Sequence, residues 1–307
     1  MAEIQSHVLI TGGTGFIGEI LCRELAETDA RVTVLSRHPG RAGAKLPAAV
    51  RPIGGLEELD GDDVPVTAIV NLAGEPIADG RWTAEKRREL FDSRIGTTRD
   101  LFNYFAGVEH KPEVLVSGSA IGYYGPHGSE VLDESGNANP SLSHDLCAAW
   151  EQAALRFEAM GTRVCLLRTG IVLGPNGGAL GSLLPLFKWG LGGPIGSGRQ
   201  WMSWIHRDDL VGMILHCFSR KDLAGPVNGT APGVVTNRTF ARTLAKVLRR
   251  PAVMRTPGWV LKLIYGQMAE ELLISGQKVY PRKALQARFR FRFPELEPAL
   301  RDILNRP

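Results

Sequence analysis

A glycine-rich turn between an apolar run and a helical pattern constrains the fold of this chain more than any other feature. The run His7 to Thr11 (HVLIT) stops at Gly12-Gly13-Thr14-Gly15-Phe16-Ile17-Gly18, and residues 16–27 then have helical spacing. Glycines permit backbone angles that a Cβ forbids, and they let the backbone approach a pyrophosphate closely. The N-terminus of the following helix adds free N–H groups and partial positive charge. Strand, turn and helix together predict a dinucleotide-binding Rossmann unit in which residues 12–18 contact the phosphates.

The rest of the N-terminal half alternates between short apolar strands and helices. The pattern predicts strands over 31–36, 68–71, 113–117 and 163–168, and helices over 83–105 and 143–160. Strands that are apolar throughout, rather than at alternate positions, are typical of a sheet that is buried on both faces. The sequence therefore predicts an α/β fold: a Rossmann doubly wound parallel sheet with helices on both sides.

The composition changes after about Gly170, which indicates a second domain. Residues 174–200 are rich in glycine and proline, as in Gly174-Pro175-Asn176-Gly177-Gly178, around one apolar segment at 180–189. A strand is predicted at 201–205, a helix from about Asp208, and further helices near 237–249, 258–274 and 296–304. We interpret residues 1–172, with a return near 203–230, as the Rossmann domain, and residues 173–307 as a smaller, substrate-side C-terminal α/β domain.

The end of the second predicted strand indicates which dinucleotide binds. An NAD site usually has an acidic residue about 20 positions after the glycine turn, where it holds the ribose 2′-hydroxyl. Here the strand ends in Ser36-Arg37-His38 without an acid, and Asp29 precedes the strand. A guanidinium makes paired, charge-assisted bonds to phosphate, so Ser36 and Arg37 favour NADP(H) over NAD(H). The alternative is that Arg37 is a solvated arginine at a strand end.

Composition limits the partners and the compartment. The net charge of +4 is spread along the chain without a block of like charges, so we expect neither nucleic acid nor a membrane as a partner. No apolar run approaches the roughly 20 residues of a membrane span, and no charged-then-apolar leader precedes the first strand, so a cytoplasmic location is expected. The cysteines are far apart in sequence, so no metal site or disulfide framework is predicted. Nothing in the sequence indicates an oligomeric state.

Several further strings resemble one known superfamily. Residues 11–18 (TGGTGFIG), 71–74 (NLAG) and 117–119 (SGS) resemble extended short-chain dehydrogenases/reductases. Residues 122–125 (GYYG), 150–151 (WE), 167–174 (LRTGIVLG), 192–198 (GGPIGSG) and 204–206 (WIH) are similar to its atypical branch of "epimerase family" proteins. The ending, with QKVYP at 277–281, resembles the C-terminal domain of that branch, which has no assigned function. The resemblance covers nearly the whole chain and implies an NADP(H)-binding, NAD-dependent epimerase/dehydratase-like protein.

The resemblance also implies cofactor contacts beyond the glycine turn and Ser36-Arg37: Leu72, Ala73, Gly74, Glu89, Arg94, Ser117 and Arg168. Arg168 ends an apolar strand, and a buried guanidinium needs an anion. Glu89 lies five residues before Arg94, which is poor spacing for an intrahelical ion pair. An exposed helix pair is nevertheless the alternative for these two residues.

The usual catalytic residues of the superfamily are absent. Extended members use a serine or threonine, a tyrosine acid/base, and a lysine four residues after that tyrosine. Aligning Glu151 with the glutamate that usually follows the lysine places Ser143 at the tyrosine position and Cys147 at the lysine position. A serine hydroxyl is a far weaker acid than a phenol, and a thiol has no fixed positive charge. The resemblance therefore implies an altered catalytic site.

Ser119 and Tyr123 are the leading replacements, because their loop is predicted to lie at the carboxyl edge of the sheet, where the nicotinamide belongs. His144 and His206 are further candidates, since histidine titrates near neutral pH. Each of these residues also has a purely structural interpretation, as a packing, capping or loop-holding side chain.

Two functions follow from the sequence. The first is an NADP(H)-binding oxidoreductase or nucleotide-sugar epimerase-like protein with an altered catalytic site, acting on a small molecule whose identity the sequence does not show. The glycine-rich stretch 192–204, which looks like a shaped cleft, favours it. The second is a non-catalytic NADP(H)-binding sensor or interaction protein, which the missing dyad favours. A pocket closed by Trp201 or Trp204 would argue against an enzyme.

Overall fold

The computed structural model describes residues 7–175 and 177–305; Asn176 of the glycine-rich segment lies outside the described residues. In chain order the strands of this part are β1 (His7–Thr11), β2 (Arg31–Leu35), β3 (Val50–Ile53), β4 (Val66–Asn71), β5 (Val114–Ala120), β6 (Val131–Leu132), β7 (Arg163–Thr169), β8 (Ile171–Leu173), β9 (Trp201–Met202), β10 (Trp204–His206), β11 (Gly225–Gly229), β12 (Val235–Thr236) and β13 (Lys278–Val279). The α-helices are α1 (Gly18–Ala26), α2 (Pro39–Gly43), α3 (Ala84–Phe91), α4 (Thr97–Gly107), α5 (Leu142–Leu155), α6 (Gly178–Lys188), α7 (Arg207–Ser219), α8 (Asn237–Leu248), α9 (Gly258–Tyr265), α10 (Gln267–Ala269), α11 (Arg282–Gln286) and α12 (Leu296–Ile303). Short 3₁₀ turns lie at Leu56–Leu59, Ile121–Tyr124 and Arg156–Met160, and π-helical turns at Asp92–Gly96 and Glu270–Ile274.

The central sheet is parallel, and its strand order is β3-β2-β1-β4-β5-β7-β11. The chain builds outward from β1 to β3, then crosses back and builds from β4 to β11. The strand order therefore reverses between β1 and β4, and a crevice for a ligand opens at the carboxyl end of such a reversal. The predicted Rossmann fold class is confirmed.

Helices cover both faces of this sheet. On one face α1 and α7 pack through residues such as Leu21, Leu25 and Ile214, and on the other α4 and α5 pack through Phe105 and the neighbouring Phe157. Burial on both sides explains why the central strands contain continuous apolar runs rather than alternating ones.

Two strands of the central sheet are not predicted from the sequence, and both lie at its edges. The edge strand β3 has the sequence VRPI, and the opposite edge strand β11 has the sequence GPVNG. Proline lacks an N–H donor, so it is tolerated at edges and indicates a loop when the sequence is considered alone. The helix predicted over 83–105 is also different, because the π-helical turn at Asp92–Gly96 divides it into α3 and α4.

The C-terminal part has a hydrophobic core of its own. Trp204 is fully buried there with Phe240 and Leu300, and its indole Nε1 donates to the carbonyl oxygen of Gly233 at 2.9 Å. Its separate core supports our proposed division of the chain near residue 172. The helix α7 and strand β11 return to the Rossmann core, in the region where the sequence predicts a return.

Candidate functional site

The predicted site residues follow strands whose carboxyl ends are in register. Thr11 at the end of β1 pairs with Leu35 on β2 and with Asn71 on β4, and Asn71 in turn pairs with Ser117 on β5. The glycine turn, Ser36-Arg37, Leu72 to Gly74 and Ser117 to Ser119 therefore extend from one edge of one sheet. Parallel pairing alone brings together segments that lie far apart in the sequence.

The glycine turn is built as the motif requires. Gly12 has φ +71°, and a Cβ there would lie 2.8 Å from the backbone of Leu72. A Cβ on Gly18 would lie 2.3 Å from the carbonyl oxygen of Gly12, so α1 packs directly on the turn. A Cβ on Gly13 would lie 2.7 Å from the side chain of Val34. Only glycine fits these positions, and the turn holds α1 close to β1 and β2.

The N-terminus of α1 is open to an anion. Its N-cap residue, Ile17, supplies no side-chain cap, and the amides of Phe16 and Ile17 donate to no other described residue. Thr14 is half-buried and Gly15 is exposed, whereas the Phe16 ring packs against Gly174 and lies 5.0 Å from the Arg207 guanidinium. Uncapped N–H groups at a helix start are a ready site for phosphate.

The end of β2 presents a cation beside this turn. The side chain of Arg37 is exposed and has no hydrogen bond or ion pair with any residue in the described ranges. The hydroxyl oxygen of Ser36 accepts from the amide of His38 at 3.2 Å, which fixes the bend after the strand. Arg37 is thus available to an external anion.

A buried hydrogen-bond network forms the base of the crevice. The hydroxyl of Thr11 donates to Asn71 Oδ1 at 2.7 Å, and Asn71 Nδ2 donates to the hydroxyl of Thr98 at 2.8 Å. The amide of Ala73 donates to the hydroxyl oxygen of Thr11 at 3.1 Å. These bonds join β1, β4 and α4 and hold Leu72 and Ala73 in place beside the glycine turn.

Arg94 lies on the π-helical turn and reaches the loop after β4. Its guanidinium donates to the carbonyl oxygens of Leu90 and Glu75 at 3.1 and 3.0 Å, and a Cβ on Gly74 would lie 2.9 Å from its Cζ. Burial lowers the pKa of Arg94. Glu89 lies apart from it on the exposed side of α3, where its carboxylate is 3.9 Å from the ammonium of Lys86. The structure therefore does not pair Glu89 with Arg94.

Arg168, for which the resemblance implies a cofactor contact, is held in an ion pair within the chain. This guanidinium is 3% exposed and makes two 2.8 Å bonds to the carboxylate of Glu151, while its remaining terminal nitrogen faces Tyr124 and the carbonyl of Glu134. Burial opposes the charged form, but the bonds to Glu151 outweigh it and raise the pKa of Arg168. The anion that a buried arginine requires is supplied by the chain itself, so its donors are not available to a cofactor.

Ser119 and Tyr123 both border this ion pair. The hydroxyl of Ser119 donates to Glu151 Oε1 at 2.7 Å, and the Tyr123 ring lies over the guanidinium of Arg168, 3.4 Å from its centroid. The Tyr123 hydroxyl has no hydrogen-bond partner among the described residues. Ser117 is fully buried, and its hydroxyl donates to the next carbonyl at 3.2 Å. Of these candidates, Tyr123 alone keeps its polar atom unengaged.

The positions of the missing dyad are engaged elsewhere. The Ser143 hydroxyl donates to Glu271 Oε2 at 2.7 Å, and the amides of Ser143 and Leu142 also donate to this carboxylate at 2.9 and 3.2 Å. Ser143 does not cap α5; Ser141 does, by accepting from the amide of His144. Burial raises the pKa of Cys147 to about 11, so the thiol stays neutral. Neither residue supplies a phenol or a fixed cation.

The two candidate histidines, His144 and His206, form hydrogen bonds with backbone groups. His144 Nδ1 contacts the carbonyl oxygen of Tyr123 at 2.6 Å, and His206 Nδ1 accepts from the amide of Asp208 at the start of α7. Burial lowers the pKa of His206, although Asp208 and Asp302 oppose this effect. Their structural interpretation is the one the contacts support.

A cavity of about 730 Å³ opens beside Glu271, between the start of α5 and the C-terminal helices. Its lining includes the polar or charged residues Ser141, Lys262 and Gln267 together with Pro126 and Pro140. Trp204 belongs to the C-terminal core and does not close this cavity. The sequence does not predict a role for Glu271, because nothing in the local pattern at 271 indicates contact with residue 143. In the sequence, Glu151 is used only as the position from which the missing dyad is aligned.

A parallel Rossmann sheet, a phosphate-binding glycine turn and a serine-bearing strand end define a protein of the extended short-chain dehydrogenase/reductase class. The chain belongs to the NAD dependent epimerase/dehydratase family, whose sequence pattern matches residues 8–228. Residues 256–303 match a domain of unknown function, DUF1731. The resemblance that the sequence motifs carry is confirmed in both parts.

Similar proteins and solved structures support this assignment. The chain is 39% identical over 309 residues to the chloroplastic homolog of epimerase family protein SDR39U1 from Arabidopsis thaliana, covering 99% of this chain and 88% of that protein. A crystal structure of human SDR39U1 (isoform 2) with NADPH superimposes with a TM-score of 0.88 at 37% identity, covering 97% and 99% of the two chains. A nucleoside-diphosphate sugar epimerase from Corynebacterium glutamicum gives a TM-score of 0.75 at 27% identity, covering 97% of this chain and 58% of that one.

Proposed function

We propose that this chain binds NADP(H) and acts as an oxidoreductase or nucleotide-sugar epimerase-like protein with an altered catalytic site. The observation that carries the proposal is Arg37, an exposed cation at the end of β2 that pairs with no residue in the described part of the chain, beside a helix start whose N-cap residue supplies no side-chain cap. This is the arrangement in which a 2′-phosphate and a pyrophosphate would both find partners. The human relative whose structure contains NADPH supports the choice.

The residues present fit the cofactor. Gly12, Gly13 and Gly18 form a cradle that a Cβ would fill, and the amides of Phe16 and Ile17 donate to no other described residue. Leu72, Ala73 and Gly74 border the crevice on the β4 side, and Arg94 adds a cation there. NADP(H), when bound, supplies the hydride donor or acceptor for the reaction.

Tyr123 is the residue that we assign to proton transfer. Its hydroxyl has no hydrogen-bond partner among the described residues, whereas the hydroxyl of Ser119 donates a hydrogen bond to Glu151. Ser119 can still accept a hydrogen bond and orient a substrate hydroxyl. The charge of Arg168 is balanced by Glu151, so it does not replace the usual lysine. This altered site accepts a small polar substrate, and the sugar nucleotide named for the Corynebacterium relative sets the class to test first. We further propose a cytoplasmic location, which the four free, buried cysteines favour.

Cofactor choice is tested by titration with NADPH and NADH. We expect NADPH to bind more tightly, and Arg37→Gln to weaken NADPH binding roughly tenfold or more while leaving NADH unchanged, because a bond to an ionised group contributes about 1.5–3 kcal/mol. The matched control is Arg41→Gln, an exposed arginine on α2. Equal affinities for the two cofactors, or equal losses in both variants, would contradict the assignment.

Chemistry is tested by incubating the chain with NADP⁺ and either UDP-glucose or UDP-glucuronic acid and following the absorbance of NADPH and the stereochemistry of the sugar. Turnover that Tyr123→Phe abolishes, with NADPH affinity retained, is the expected result. Tyr104→Phe is the control, because that phenol donates to Asp60 at the opposite edge of the sheet. Retained turnover in Tyr123→Phe would remove the assignment, and NADPH binding without turnover of any sugar nucleotide would favour a non-catalytic sensor.

A further inference from the structure

The helix α9 is apolar, yet none of its residues is buried. Its sequence is GWVLKLIY, and Trp259, Leu263 and Ile264 are 70%, 69% and 53% exposed. Large apolar side chains grouped on an exposed helix surface are unusual in water, because water contact with such a surface is unfavourable. This helix is therefore matched to an apolar environment that the chain itself does not provide.

A second segment extends the same face. Around the end of α6, Leu186, Trp189 and Leu191 are 52%, 80% and 52% exposed. The apolar face, as we define it, comprises these three residues with Val253, Met254, Trp259, Leu263 and Ile264. It holds eight of the twelve exposed large hydrophobic residues found within 7–175 and 177–305.

Backbone contacts hold the two segments together. A Cβ on Gly193 would lie 1.9 Å from the carbonyl oxygen of Met254, and Ile195 forms a parallel bridge with Thr256. A Cβ on Gly258 would lie 3.7 Å from the Cα of Gly196, at the point where α9 begins. The face is thus a fixed feature of the fold.

Basic residues predominate in the two segments that carry this face. Residues 186–199 and 249–264 contain six basic residues and no acidic residue. All six side chains are exposed: Lys188, Arg199, Arg249, Arg250, Arg255 and Lys262. Lys262 pairs with Glu270 at 2.8 Å, and Arg255 donates to the carbonyl of Gly196. None of the other four side chains has a carboxylate partner within 7–175 and 177–305. The modest net charge of the whole chain hides this local concentration.

We propose that the apolar face docks on the surface of an anionic lipid bilayer. Exposed tryptophans with leucine and valine enter the boundary between headgroups and acyl chains, and lysine or arginine residues beside them are attracted to anionic lipid. Exposures of 70% and 80% mean that the two indoles project from the surface, so they do not line a groove that would receive a partner helix. The described helices contain no span long and apolar enough to cross a membrane, so the contact is peripheral.

The test is flotation of the full-length chain with vesicles, either pure phosphatidylcholine or phosphatidylcholine mixed with phosphatidylglycerol. We expect binding to the anionic vesicles that weakens with salt, and a blue shift in tryptophan emission when they are added. Trp189→Ala combined with Trp259→Ala should lower the partition coefficient at least tenfold, because both indoles lose their burial in lipid. Neutralising Arg249 and Arg250 with glutamine should lower it about fivefold for each charge.

Matched variants separate the proposal from its alternatives. Arg88→Gln with Arg290→Gln removes two exposed charges elsewhere and should leave vesicle binding unchanged. NADPH affinity should be unchanged in every variant, which shows that the fold is retained. The proposal is overturned if the wild-type chain does not float with anionic vesicles, or if the tryptophan variants float equally well. It is also overturned if the wild-type chain forms a dimer that these tryptophan changes dissolve, since a second copy would then cover the face.

Discussion

Breaking the buried ion pair between Glu151 and Arg168 should destabilise the chain strongly. The two residues are 5% and 3% exposed and are joined by two bonds of 2.8 Å, and Glu151 also accepts from Ser119 at 2.7 Å. Glu151→Gln leaves a guanidinium buried without a counter-charge, and Arg168→Met leaves a carboxylate with only a hydroxyl as partner. Removal of one member of such a pair costs about 3–5 kcal/mol.

Removal of both charges should cost less than removal of either one. In Glu151→Gln with Arg168→Met, the amide still accepts from the serine and neither charge remains in the interior. Buried pairs replaced by neutral groups of similar volume are often no less stable than the original, because the desolvation of both ions is avoided. The double variant is therefore expected to recover at least about 2 kcal/mol relative to the worse single variant.

Urea unfolding, with the free energy extrapolated to water, measures these differences. The control is Arg220→Met, which breaks an exposed pair with Asp222 at 2.6 Å and should produce no measurable change. A loss below about 1 kcal/mol in both single variants would show that Arg168 is solvated or otherwise paired. Strictly additive losses in the double variant would show that the two charges do not depend on each other.

Three further predictions concern the turn, a buried histidine and the contact from the C-terminal part. Gly18→Ala places a methyl group 2.3 Å from a carbonyl oxygen of the turn and should lower both NADPH affinity and stability, by about 1–3 kcal/mol in urea unfolding, whereas Gly40→Ala, which meets nothing within 4 Å, should not. Burial lowers the pKa of His7, so the unfolded chain takes up the proton first; the free energy of unfolding should fall as pH drops below about 6.5, and more steeply than in His7→Asn. Glu271→Gln weakens bonds to two amides at a helix start and to a hydroxyl, and should cost about 1–2 kcal/mol in thermal unfolding, whereas Glu270→Gln, which lacks those contacts, should leave the melting temperature near that of the wild type.

The sequence predicts the centre of the fold better than its margins. Strands β1, β4, β5 and β7 contain continuous runs of buried apolar residues because helices cover both faces, and this burial leaves a clear pattern. Strands β3 and β11 are edges that contain Pro52 and Pro226, which the pattern alone assigns to loops. The π-helical turn at Asp92–Gly96 contains no proline, and a single glycine is tolerated within a helical pattern, so the pattern could not distinguish this turn from continuous helix. Arg94 bonds there to the loop after β4, a tertiary contact that no local pattern contains.

The site shows the same division between local and distant information. The glycine turn lies within a few residues of the end of β1, and Ser36-Arg37 lie directly after the end of β2. The structure places both at one edge of the sheet. Glu271 meets Ser143 across 128 positions of sequence, and this pairing depends on how the C-terminal helices pack on α5. Such contacts leave no trace in spacing or periodicity.

The ion pair of Arg168 with Glu151 determines where uncompensated positive charge lies in the site. The anion that the buried guanidinium requires is the carboxylate of Glu151 and not the cofactor. This pair is therefore neutral and offers a dinucleotide no net charge. Arg94 and Arg37 differ, because the bonds of Arg94 go to backbone carbonyls and Arg37 has none among the described residues. A polyanionic cofactor would therefore meet its cations at the ends of β2 and β4, on either side of the glycine turn. Because Glu151 balances the charge of Arg168, no uncompensated cation would act on the reaction at Ser119 and Tyr123. The cations that would hold the cofactor are therefore different from the residues that we assign to proton transfer.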